Sequence, residues 1–178
     1  MTGAPEFSRR IALDRIGTVA SRHEIAAEAD ERTALAARFG LRAVQSLAAE
    51  VELVREDDDI LATGAVSADI VQACVVTGED VATHLEEPFE LRLRARPAPG
   101  DPEQELEIEE SDLDIVFHDG EAVDLGELAA ETAMLALPLF PRSAGADEAA
   151  QEAGIVGEEE AGPFGALKEL RDRLAGEE

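Results

Sequence analysis

The sequence predicts an α+β fold: a mainly antiparallel, curved sheet with two packed helices and a flexible acidic C-terminal region. Three observations lead there. Several segments alternate apolar and polar residues with the period of two that marks a half-buried strand. Two others repeat apolar residues at helical spacing and carry helix-ending signals. Beyond residue 142, large apolar residues thin out and Ala, Gly and Glu dominate.

Taken in order, "SRRIALDRI" (8–16) reads as a first strand. Asp30 is placed to cap a helix over 31–39, with Leu35, Ala36 and Phe39 on one face and Gly40 as its left-handed C′ residue. From Leu41 the period changes. "QSLAAEVELVRE" sets Leu47, Ala49, Val51 and Leu53 on one face, as in a strand. Asp57-Asp58-Asp59 makes a polar turn, and "ILATGAVSADIVQACVV" returns as a second strand with Gly64 marking a bulge or bend. "FELRLRA" alternates strictly, with Phe89, Leu91, Leu93 and Ala95 inward and Glu90, Arg92 and Arg94 outward.

After the Pro-rich loop 96–105, "LEIEESDLDIVF" supplies one or two further short strands. Asp124-Leu125-Gly126-Glu127 is a capping box, opening a helix over 125–137 whose stripe is Leu125, Leu128, Ala129, Thr132, Leu135 and Ala136. Pro138 stops it, and "PLFP" gives a stiff extended exit. The expected organisation is a domain over 1–142, an acidic flexible linker over 143–162, and a short amphipathic helix over 163–178. Phe164, Leu167 and Leu170 form that helix's apolar stripe and are its candidate partner-binding residues.

Charge narrows the function classes. The formal net charge is -26, with 11 Lys and Arg against 18 Asp and Glu in residues 1–96, and 4 against 23 in residues 97–178. A polyanion is repelled by phosphates, so its expected macromolecular partners are basic proteins. The chain has no Trp and no Tyr, which argues against a base-stacking platform. No run of apolar residues is long enough for a membrane span, and the first 17 residues show no apolar signal core. A single cysteine cannot form an internal disulfide, and a cytoplasmic location is expected.

No converging catalytic set is legible. There is no phosphate loop, no G-x-S-x-G and no H-E-x-x-H. Cys74 lies in "QACVVTG", where a C-x-x-C would need a second cysteine at Thr77. A nucleophilic thiol would need a histidine close in space, and His84 is the candidate. A small buried side chain among Val71, Val75 and Val76 explains the residue more simply. We therefore expect no enzyme activity, no cofactor, no metal and no small-molecule substrate. The basic clusters are Arg9, Arg10 and Arg15 near the start and Arg92, Arg94 and Arg96 on one strand. They are candidates for an RNA-facing stripe, against the simpler reading of pairing with neighbouring acids.

The order of these pieces resembles the YceD family, the large-subunit ribosomal RNA accumulation proteins. The resemblance rests on "RIALDRI", "ADERTALAARFGL", "GAVSADIVQACVVTGEDV" and, most strongly, "DGEAVDLGELAAETAMLALPLFPR". In the last, Asp124, Leu125, Glu131, Pro138 and Pro141 stand at the family's motif positions. The terminal "GPFGALKEL" is similar to the family's short tail, with Gly162 where Asn is common. The resemblance implies a non-enzymatic factor supporting accumulation of large-subunit (23S) ribosomal RNA and large-subunit biogenesis, through a basic ribosomal protein or precursor particle. The alternative is an acidic adaptor or chaperone for a non-ribosomal basic protein. Many members carry two cysteines in the strand–turn region. Cys74 with Thr77 implies that no disulfide or metal site of that kind operates within this chain.

Overall fold

The computed structural model describes residues 6–96, 115–118 and 120–154. The chain divides into two compact units, Met1–Gln72 with Ala82–Leu139, and Ala73–Val81 with Phe140–Glu178. The fold is α+β, with three α-helices and a mostly antiparallel open sheet of five strands among the described residues.

The first unit opens with a three-residue strand β1 (Arg10–Ala12) and one turn of 3-10 helix, Leu13–Arg15. "SRRIALDRI" is thus a strand for only part of its length. Arg55 holds the turn, donating from Nε to Ile16 O (3.1 Å) and from Nη2 to Leu13 O (2.6 Å). Then come β2 (Ser21–Ala26), α1 (Ala29–Phe39), β3 (Ala43–Glu56), β4 (Asp59–Ala73) and β5 (Asp80–Ala95). They are followed by β6 (Ile115–His118), β7 (Ala122–Asp124) and α2 (Leu125–Leu135).

Helix α1 begins two residues before the sequence-predicted start. Its N-cap is Glu28, not Asp30, because Glu28 and Glu31 form a reciprocal capping box. Gly40 ends it in the left-handed region, as expected, at φ 65°.

The five-stranded sheet has the order β2-β3-β4-β5-β6. Strand β3 pairs antiparallel with both β2 and β4, whereas β5 pairs with β6 in parallel. Strands β3 and β4 make a long hairpin with Glu56 opposite Asp59. Asp57 takes φ 53° in its two-residue turn, a conformation that Asp tolerates better than most residues. Strand β1 pairs antiparallel with β7 in a separate small sheet.

The register break lies at Val44/Ser46, not at Gly64. Gly64 is required for another reason: a Cβ there would lie 2.1 Å from Glu50 O and 3.0 Å from Phe89 Cζ. This is the close backbone approach that a strand glycine permits.

One face of the sheet is dry. Leu47, Ala49, Val51 and Leu53 of β3 and Ile60, Ala62, Val66, Ala68 and Ile70 of β4 point into a core shared with Leu35 of α1 and Leu125, Leu128, Ala129 and Ala133 of α2. Both helices therefore cover the same face. The alternate residues of β2, β3 and β4 form the other face, including Arg22, Glu24, Ala48, Glu50, Ala65 and Ser67. In β5, Phe89, Leu91 and Leu93 turn inward as predicted, but Ala95 is exposed near the strand's end.

The second unit contains α3 (Ala146–Glu152), a two-turn helix within the stretch whose composition suggests a linker.

Candidate functional site

The residues of the α2 motif act first as fasteners. Asp124 is the N-cap of α2 and accepts from the amides of Gly126 (3.1 Å) and Glu127 (3.4 Å). Its carboxylate also accepts from Arg9 N (2.8 Å) and Ser8 Oγ (2.5 Å), so one side chain ties the start of the chain to the helix. Leu125 is fully buried. Gly126 lies against Phe7, where a Cβ would come 2.4 Å from Phe7 O. Glu127, read from sequence as the second half of a capping box, instead takes a two-pronged ion pair from Arg38 (2.6 and 2.9 Å). Arg38 also reaches Glu6 at 3.0 Å.

Glu131 lies on the outer side of α2, where crowding by the surrounding chain and then the charge of Glu127 raise its carboxyl pKa. The Pro138 carbonyl accepts from Gln72 Nε2 at 3.1 Å. The predicted helix stripe is corrected at its end: Leu135 is 87% exposed, and the buried set runs instead through Ala130, Ala133 and Leu137. Leu139 of the exit segment is equally exposed.

The two arginine clusters divide by partner. Arg9 is locked: it grips both oxygens of Glu31 (2.7 and 2.9 Å), donates to Ser8 O and Ala26 O, and its guanidinium stacks 4.8 Å from the Phe7 ring. The hydrogen bonds from Arg9 hold Glu31 below its ordinary pKa. Arg94 makes a two-pronged pair with Asp59 (3.0 and 2.8 Å), and Arg92 lies 3.7 Å from the same carboxylate and 3.9 Å from Glu56. Asp59, read from sequence as a turn residue, is nearly buried, and the Arg94 hydrogen bonds lower its pKa. Arg10 approaches Glu121 at 3.7 Å. Arg15 and Arg96 are exposed, and among the described residues neither has an ion-pair partner. Arg10, Arg96, Asp124 and Glu131 do come together, around a cavity of about 780 Å³ floored by Leu93 and Val116.

The second unit holds Cys74. It is 3% exposed, and its sulfur accepts from three backbone amides: Val76 (3.4 Å), Thr77 (3.4 Å) and Ser143 (3.3 Å). The turn closes through Cys74 N to Glu79 O (2.7 Å) and Gly78 N to Cys74 O (2.9 Å). The Thr77 hydroxyl meets Ser143 Oγ at 3.1 Å and donates to Glu79 Oε2 at 3.1 Å. Pro141 is buried, and its carbonyl accepts from Val75 N. Burial pushes the thiol up, but the donors from Ser143 and Thr77 outweigh it and bring the pKa down to about 6. The burial of Cys74 is as the sequence predicts, but the Ser143 donor was not legible locally, since it lies 69 residues away.

His84 is engaged elsewhere, with Nδ1 2.8 Å from Asp69 Oδ1, while Ser46 Oγ donates to the other Asp69 oxygen at 2.7 Å. Among the described residues, no three or more His, Cys, Asp or Glu side chains gather as metal ligands would. No described helix is long and apolar enough to cross a membrane. Phe164, Leu167 and Leu170 lie outside the described residues.

Fold and side-chain arrangement together define an acidic α+β domain in which Asp124 joins residues 8 and 9 to the start of α2. Residues 62–171, more than half of the chain, match the family of the large ribosomal RNA subunit accumulation protein YceD, and the chain belongs to that family. No curated protein and no solved structure matches it.

Proposed function

We propose that this protein is a non-enzymatic cytoplasmic factor that supports accumulation of large-subunit ribosomal RNA by engaging a basic ribosomal protein or a large-subunit precursor. Family membership is the observation that carries the ribosomal part. The choice of a basic protein over RNA rests on charge. At -26 the chain repels a polyphosphate, and four of its six candidate RNA-facing arginines lie against its own carboxylates. A guanidinium already gripping a carboxylate with both nitrogens has fewer donors left for phosphate.

Depletion tests this reading. In cells that make the protein, its loss should lower large-subunit ribosomal RNA relative to small-subunit RNA, as read by quantifying both species. An unchanged ratio removes the ribosomal role and leaves an adaptor for some other basic protein.

A further inference from the structure

The inner face of the sheet is covered by α1 and α2, and neither of these helices packs on the outer face. That outer face is not flat. A trough of about 780 Å³ crosses β2, β3, β4 and β5. Its floor is made of small side chains, Ala26, Ala48, Ala65 and Ser67. Paired register explains the alignment, because Ala26 lies opposite Ala48 and Ala48 opposite Ser67. Longer side chains stand around that floor and make the walls: Glu24, Glu50, Glu86 and Pro88.

The walls are acidic. Arg22 ion-pairs with Glu50 and lies 3.9 Å from Glu24, so that side is partly neutralised. Among the described residues Glu86 has no ion-pair partner. The lining offers no aromatic ring and no buried polar group to orient a small molecule, which small-molecule sites usually require. It offers instead an apolar strip with carboxylates among its lining.

We propose that this trough is a docking groove for a basic segment of a protein partner, one that seats a compact apolar side chain on the alanine floor and directs lysine or arginine to Glu86 on one side and Glu24 and Glu50 on the other. Complementary charge selects the occupant: carboxylate walls repel nucleic acid and acidic segments, and favour cations whose stems pack on apolar surface. The groove deepens the ribosomal reading by giving the basic partner a place, and it rests on that reading only for the partner's identity.

The probe is a ten-residue peptide with lysines flanking a central valine, titrated into the full chain while backbone amide resonances are followed. Saturable shifts are expected at Ala48, Ala65 and Ser67. Ala65→Phe, which fills the trough, and Glu86→Lys, which reverses one wall, should each weaken binding about tenfold or more, as loss of a central contact does. Unchanged melting temperatures show that both variants fold. If wild-type protein gives no saturable shifts there, or binds both ways with unaltered affinity in the two variants, the groove is not a docking site. A parallel titration with the extracted proteins of large ribosomal subunits separates the two ideas. Peptide binding in the groove without binding to those proteins keeps the groove and removes the ribosomal partner. Variant-insensitive binding to those proteins keeps the ribosomal partner and removes the groove.

Discussion

The two faces of the five-stranded sheet are built from the same strands and differ by one residue of offset. On β3, Leu47, Val51 and Leu53 are at most 2% exposed and meet α1 and α2, while Ala48 and Glu50 between them face outward. The inner face is closed by large aliphatic side chains with Ala49, Ala62 and Ala68 among them, all under the helices in one core. The outer face carries alanines among carboxylates, which leaves a trough where a solvated sheet would more often carry long polar side chains. The difference separates the residues that hold the fold together from those that lie outside its core.

The largest effect should come from the inner face. Leu53→Ala removes a side chain with no exposure and should cost about 2–5 kcal/mol in denaturant unfolding. A cost well under that range would mean the helices close over this face less tightly than the buried set implies.

Next is the fastener at the end of the core. Asp124→Ala removes the α2 cap and the contacts to Arg9 N and Ser8 Oγ together, and should cost about 1–3 kcal/mol. Asp124→Asn, which keeps a cap acceptor, should recover part of it.

The Asp59–Arg94 pair sharpens the comparison through pH. Arg94 lowers the Asp59 pKa in the folded state, so the pair stabilises the fold above the unfolded carboxylate's pKa. That stabilisation is lost as pH falls through the lowered folded value. Wild type should therefore exceed Arg94→Ala in stability at neutral pH, and the gap should close in acid. A gap constant with pH would assign the arginine's effect to packing.

The Cys74 turn breaks any simple rule that buried means apolar. Its thiol should titrate with a midpoint of about 6, read by thiolate ultraviolet absorbance against a background free of Trp and Tyr. A midpoint at the ordinary thiol value would show that the three amides do not govern the sulfur. With a lowered folded pKa, the thiolate's contribution to stability is full above the unfolded thiol's value and disappears as pH falls through about 6.

The smallest stability effect belongs to the outer face. Ala65→Phe should change stability by no more than about 0.5 kcal/mol, since it adds a side chain in solvent. A large loss would show that this face is packed.

What the sequence made legible was local. Asp124 as a cap and Gly40 as a helix end follow from neighbours within four residues, and the alternation of β3 and of Phe89, Leu91 and Leu93 follows from period. The cap of α1 was misread because Asp30 is the stronger cap by type, whereas Glu28 prevails through its reciprocal bonds with Glu31. The parallel pairing of β5 with β6 was hidden because strand order depends on contacts across the fold. The ion pairs of Arg9, Arg94 and Arg38 join residues 22, 35 and 89 positions apart, and no local pattern links them. Leu135 was placed inward because period alone extends a stripe to the helix end, where the core no longer covers it.

The central claim is that an acidic domain serves the large subunit by binding basic protein, not RNA. A paired titration across salt concentrations tests it most directly, with purified full-length protein against free large-subunit ribosomal RNA and against the extracted large-subunit proteins. The account predicts weak binding to the RNA at physiological salt, and tighter binding to at least one basic protein that weakens as salt rises. Tight binding to the RNA with no binding to the proteins would contradict it, and would return Arg15 and Arg96 to the centre of the interface.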